Sequence, residues 1–131
     1  MPATRKILFV CTANLQRSPT AEKLFQGWNG EWEARSAGIT PEPGCRTLTQ
    51  ELIDWADVII AMERLHGSYM NAHFRGCSEK TNILGIPDIY FQNDPELVSE
   101  LLKKVPPILD KHRMAESVRN SRPRSVWKDS K

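Results

Sequence analysis

The stretch Lys6-Ile7-Leu8-Phe9-Val10-Cys11-Thr12-Ala13-Asn14-Leu15-Gln16-Arg17-Ser18-Pro19 holds a strand, a tight loop and a helix start in immediate succession. Ile7 to Val10 is a compact apolar run, of the kind that fills a strand covered on both faces. Ser18-Pro19 supplies the helix start, since serine caps and proline suits the first helical position. Between strand and helix, Cys11 and Arg17 bracket five residues, a spacing that lets a loop curl around one phosphate-sized dianion. Such a loop offers convergent backbone N–H donors and the positive end of a helix dipole. Arg17 adds a planar fork matched to two phosphate oxygens. The same field favours a thiolate at Cys11, the form that attacks. Ser18 can hydrogen-bond the sulfur and help it leave, and Asn14 tolerates left-handed backbone angles. Thr12, Ala13, Asn14, Leu15, Gln16, Arg17 and Ser18 are therefore the candidate phosphate cradle, and displacement at phosphorus by sulfur is the implied reaction.

Outward from this segment, strands and helices alternate. Ala21, Leu24, Phe25 and Trp28 recur at helical spacing, with Gly30 as the expected stop. Glu33 to Ala37 reads as a second strand, Thr49 to Trp55 as a helix, and Asp57 to Met62 as a third, buried strand. Glu63 to Phe74 is expected to be helical despite Gly67, and Thr81 to Ile86 is expected to form the fourth strand. Asp94-Pro95 repeats the cap-then-proline device. Leu97, Val98, Leu101, Leu102 and Val105 then give an apolar helix face that should end at Pro106-Pro107. Short apolar strands alternating with helices predict an α/β fold, a three-layer sandwich on a four-stranded parallel sheet with helices on both faces. Ligands of such sheets bind beyond the carboxyl ends of the strands, where Cys11 falls.

A chain of 131 residues holds one domain. The expected division is a domain over 1–112 and a basic, flexible tail over 113–131. From Lys111 onward seven Lys and Arg face two acids, against 11 and 14 in the rest. That tail is read as solvated, without a nucleic-acid partner: Trp127 is its sole aromatic, too little for base stacking. No run of eighteen apolar residues exists, so no membrane span is expected. The apolar run after Lys6 is too short for a signal-peptide core. Three cysteines, an odd number, argue for reduced thiols and a cytoplasmic location over a disulfide framework. No His/Cys/Asp cluster has metal-ligand spacing, so no metal or other cofactor is expected.

Expelling an alkoxide or phenoxide requires a positioned acid. Asp88 follows the fourth strand, whose end should share a rim with Cys11, and is the candidate. Asp94, before an apolar helix, is better explained as an N-cap. Tyr90 and Phe91 are candidates for the pocket wall, able to stack on an aromatic leaving group. His66 is read as a surface or supporting residue.

The segment Val10 to Glu22 resembles the catalytic loop of the low-molecular-weight protein tyrosine phosphatases. Arg35-Ser36-Ala37-Gly38, Ala56 to Met62 followed by His66, and Ile86-Pro87-Asp88-Ile89-Tyr90 are similar to later motifs of that family, the last to a shorter branch of predicted phosphatases. The resemblance spans roughly Lys6 to Leu109. It implies a cysteine-dependent phosphomonoester hydrolase, a protein tyrosine phosphatase working through a cysteinyl-phosphate. Cys11 would be the nucleophile, Arg17 the oxyanion ligand, Asp88 the acid, and Ser36 a brace hydrogen-bonded to Asn14. The implied partners are a phosphorylated protein or small phosphomonoester, with phosphate or another oxyanion in the loop. The chain departs from the family pattern at Ala13, where glycine is usual, and at Gln16, where many members carry a second cysteine. It also departs at Pro87-Asp88-Ile89-Tyr90, where Asp-Pro-Tyr is usual. Two alternatives accompany this reading. One is an arsenate reductase of the same fold, which would need Cys45 or Cys77 as relays; the other is a non-catalytic phosphate-binding module.

Overall fold

The computed structural model describes residues 5–12, 17–41, 43–44, 46–87 and 89–121, with side chains to residue 114. Four strands, β1 (Arg5–Cys11), β2 (Trp32–Gly38), β3 (Val58–Ala61) and β4 (Thr81–Ile83), form one sheet in the order β2-β1-β3-β4. All three pairings are parallel. The helices are α1 (Arg17–Phe25), α2 (Gln50–Trp55), α3 (Arg64–His73) and α4 (Pro95–Ser121). The expected α/β sandwich is the observed architecture.

Alternation along β1 builds the layers. Ile7, Phe9 and Cys11 face one core with Ala21 and Phe25 of α1 and Leu97, Leu101, Val105 and Leu109 of α4. Leu8 and Val10 face the other, with Leu52 and Ile53 of α2 and Met70 of α3. Ile7 to Val10 are fully buried. Each such side chain contributes roughly 1.5–3 kcal/mol relative to exposure, which is why a strand this apolar occupies the centre of the sheet. Phe25 sits between Phe9 and Trp28, with ring centroids 5.8 and 4.7 Å away.

Several boundaries differ from the sequence expectations. Helix α1 ends at Phe25, because Gly27 rather than Gly30 makes the first left-handed turn, at φ 75°. Strand β4 stops at Ile83, since Gly85 turns at φ 75°. The chain nevertheless stays tied to β3: Leu84 N–H donates to the Ala61 carbonyl and Ile86 N–H to that of Met62. Gly67 is compatible with α3 because a Cβ there would lie 3.2 Å from the Ile83 side chain; the glycine admits close packing.

The largest correction is α4, which passes through Pro106 and Pro107 and runs to Ser121. Residues 113–121 therefore continue the helix instead of beginning a tail, while 122–131 lie outside the described residues. Interior prolines cost about 3 kcal/mol. They deprive only the carbonyls of Leu102 and Lys103, both exposed residues. Leu97, Leu101, Val105 and Leu109 meanwhile hold one continuous buried face across the break, and their packing outweighs the lost hydrogen bonds. Beyond it, His112 meets Trp32 edge-on at 5.6 Å, and Arg113 lies 3.7 Å from Glu31.

Candidate active site

Strand β1 continues to β2 on one side through α1 and neighbours β3 on the other, so the strand order reverses at its carboxyl end. Cys11 is the last residue there, paired with Gly38, and only 3% exposed. The backbone leaving the strand is pinned: Ile39 N–H donates to the Cys11 carbonyl at 3.1 Å and Thr40 N–H to that of Thr12 at 2.7 Å. Cys11 Sγ stands 3.0 Å from Ser18 Oγ, itself fully buried in the first turn of α1. A hydroxyl so placed can donate to a sulfur anion and stabilise it as a leaving group.

Arg17 opens α1 and is 2% exposed. Its Nη1 donates to the Ile86 carbonyl at 2.7 Å and to Glu63 Oε1 at 3.0 Å, while Nη2 approaches Thr12 Oγ1 at 3.5 Å. A buried guanidinium is stable only when its protons are met by acceptors, and these acceptors come from three separate stretches. The short spacing from Cys11 to Arg17 thus brings sulfur and guanidinium to one end of the sheet, as the sequence implied.

Ser36, on β2, donates from Oγ to Glu22 Oε1 of α1. The expected partner Asn14 lies outside the described residues, as do Ala13, Leu15, Gln16, Cys45 and Asp88. Nearby, Arg17 holds the Ile86 carbonyl, and Thr20 Oγ1 accepts from the Asn93 N–H at 2.9 Å. Tyr90 is half-buried against the α1/α4 core, whereas Ile89 and Phe91 are 70% and 76% exposed. The aromatic that rests on the protein is therefore Tyr90, and the one free to meet a ligand is Phe91.

Sequence reasoning missed what α3 does. His66 is fully buried, and its Nε2 lies 3.0 Å from Thr12 Oγ1. Glu63, just before α3, reaches Arg17. The signal was present only as the Met62-Glu63-x-x-His66 string after β3, since 46 and 54 positions separate these residues from their partners. Cys77 is buried in the α2/α3 core with its thiol donating to the Met70 carbonyl at 3.4 Å, on the sheet face opposite Cys11. Among the described residues no group of His, Cys, Asp or Glu could hold a metal ion, and no helix is long and apolar enough to cross a membrane.

Comparison with known proteins agrees with this geometry. The sequence model for "Low molecular weight phosphotyrosine protein phosphatase" matches residues 6–50. A protein-arginine-phosphatase of Bacillus subtilis is 30% identical, the match covering 82% of this chain and 98% of the relative. The solution structure of a low molecular weight protein tyrosine phosphatase from Bacillus subtilis is 28% identical at a TM-score of 0.65, covering 82% of this chain and 99% of that one. Vibrio vulnificus Wzb, solved with benzylphosphonate, is 27% identical at a TM-score of 0.60 over 75% of this chain and 90% of that one. A relative matched almost end to end, on a shared fold with the cysteine loop at its head, settles the kinship: the chain belongs to the low molecular weight protein tyrosine phosphatase family.

Proposed function

We propose that the chain hydrolyses phosphomonoesters, phosphotyrosine on proteins foremost, in the cytoplasm and through a cysteinyl-phosphate. The observation that carries the reading is the Cys11 sulfur at a strand end, 3.0 Å from the Ser18 hydroxyl, beside a buried and oriented Arg17. Cys11 attacks phosphorus in line with the leaving oxygen, and the P–O bond to that oxygen breaks as the S–P bond forms. Asp88 gives its proton to the departing oxygen. Arg17 and the backbone amides of Thr12 to Ser18 take the equatorial oxygens, where charge gathers in the transition state. Water then attacks the phosphocysteine with Asp88 as base, and Ser18 assists the departing sulfur.

Two features support an aryl substrate. The Phe91 ring is exposed on the stretch between Ile86 and α4, and an exposed aromatic ring can stack on an aromatic leaving group. The related Wzb accommodates benzylphosphonate. The protein-arginine-phosphatase relative makes phosphoarginine the informative second substrate. Hydrolysis of an aryl phosphate and of phosphotyrosyl and phosphoarginyl peptides is therefore measured for wild type, Cys11→Ser and Asp88→Asn. Turnover of the phosphotyrosyl peptide that is lost in Cys11→Ser and slowed roughly 100-fold or more in Asp88→Asn is expected. Full activity in Asp88→Asn would remove the acid assignment, and preference for phosphoarginine would replace the substrate.

A further inference from the structure

We propose that the Glu63–His66 turn at the start of α3 is a positioning clamp on the phosphate loop, Glu63 setting the Arg17 fork and His66 holding the Thr12 hydroxyl. The inference rests on the phosphatase reading and adds residues that the reaction scheme above does not use.

Hydrogen-bond direction assigns the parts. The Glu63 backbone N–H donates to His66 Nδ1 at 2.9 Å. An amide nitrogen can only donate, so Nδ1 bears no proton and the proton of the neutral ring sits on Nε2. Nε2 therefore donates to Thr12 Oγ1, 3.0 Å away. The ring is fully buried, and its orientation is fixed from both ends: one nitrogen by the helix terminus, the other by the loop residue directly after Cys11.

Glu63 acts on the other bracket of the loop. Its Oε1 and the Ile86 carbonyl accept the two protons of Arg17 Nη1, at 3.0 and 2.7 Å. Nη1 is thereby committed to the protein, which fixes the plane of the guanidinium at the mouth of the loop. Two acceptors on one nitrogen fix the rotation of a planar group in a way that one cannot. A helix N-terminus could be capped equally well by a short side chain; glutamate has the length to reach Arg17. Its carboxylate also lies 4.0 Å from His66 Nε2, so the two halves of the clamp form one unit.

The test is steady-state hydrolysis of an aryl phosphate by Glu63→Ala, Glu63→Gln, His66→Leu, His66→Gln and Thr12→Val, singly and with His66→Leu combined with Thr12→Val. Misdirecting the fork or the loop should cost about 10- to 100-fold in kcat with KM changed less than about threefold, as for groups whose effect lies in the transition state. The glutamine variants, which keep an acceptor at 63 and a donor at 66, should recover most of the loss. Because His66 acts through Thr12, His66→Leu should cost less than about threefold once Thr12 is valine, the non-additivity expected of partners in contact. Losses that multiply, or single variants with unchanged kcat, overturn the clamp. Should His66→Leu fail to fold, ring nitrogen shifts of the wild-type protein decide: a protonated Nδ1 in place of Nε2 overturns the assignment. A wild-type protein inert on aryl phosphates would instead refute the phosphatase reading. The clamp is then judged on the affinity for orthovanadate, which copies the five-coordinate transition state: Glu63→Ala should lower it about tenfold, and an unchanged value would contradict the clamp.

Discussion

Replacing Arg17 with lysine keeps the charge and removes the fork. The native side chain is 2% exposed and serves the Ile86 carbonyl at 2.7 Å, Glu63 at 3.0 Å and, at longer range, Thr12 at 3.5 Å. A lysine ammonium is a single point, and it cannot serve Ile86 and Glu63 while also facing the loop. Losing one charge-assisted hydrogen bond in a buried site costs about 1.5–3 kcal/mol. For a chain of this size that corresponds to a fall in Tm of roughly 5–15 °C. In the proposed reaction the bidentate grip on the equatorial oxygens is lost as well, worth about 100- to 1000-fold in kcat by analogy with deletion of an oxyanion donor. Thermal unfolding followed by circular dichroism measures the first effect. Aryl phosphate hydrolysis, well below the variant's own Tm, measures the second. Activity within about threefold of wild type would refute the reasoning, because charge alone would then suffice and the fork geometry would be irrelevant. A lowered Tm with normal activity would leave Arg17 a structural residue only.

Other outcomes follow from the same contacts. Phe25→Ala, which empties the space between Phe9 and Trp28 beneath α1, should destabilise the fold by about 3–5 kcal/mol, read by urea unfolding; a loss below about 1 kcal/mol would contradict the packing described. The Glu100 carboxyl is held below the ordinary glutamate range chiefly by its hydrogen bond to Lys104. Its contribution is thus present above the unfolded-state value and fades as the pH falls through the lower folded value. NMR titration of Lys104→Met should show the Glu100 midpoint moving upward, and an unmoved midpoint would rule out the pairing.

The fold class and the meeting of Cys11, Ser18 and Arg17 at one end of the sheet were legible because they are written locally. Cys11, Arg17 and Ser18 lie on one short segment, and the alternation of Ile7 to Cys11 between two cores follows from strand geometry alone. What escaped was long-range. Glu63 and His66 look like an ordinary helix start until β3 is laid beside β1, which brings Met62 N–H to the Val10 carbonyl at 2.9 Å and the α3 terminus to the loop. Proline at 106 and 107 signals a helix end locally, yet burial of Leu101, Val105 and Leu109 overrides it. The extent of β4 was overread because Leu84 and Ile86 are as apolar as strand residues while Gly85 turns between them. Tyr90 and Phe91 are chemically alike in sequence; only the core beneath Tyr90 separates their roles.

The most direct measurement concerns the sulfur at position 11. Wild type and Cys11→Ser are mixed with an aryl phosphate, quenched in acid within milliseconds, digested and examined by mass spectrometry for phosphate on the peptide containing residue 11. Phosphocysteine on the wild-type peptide, formed and lost at rates matching turnover, is the predicted result, with no hydrolysis by the serine variant. Steady turnover with no phosphate ever carried by Cys11, or undiminished turnover in Cys11→Ser, would contradict the account.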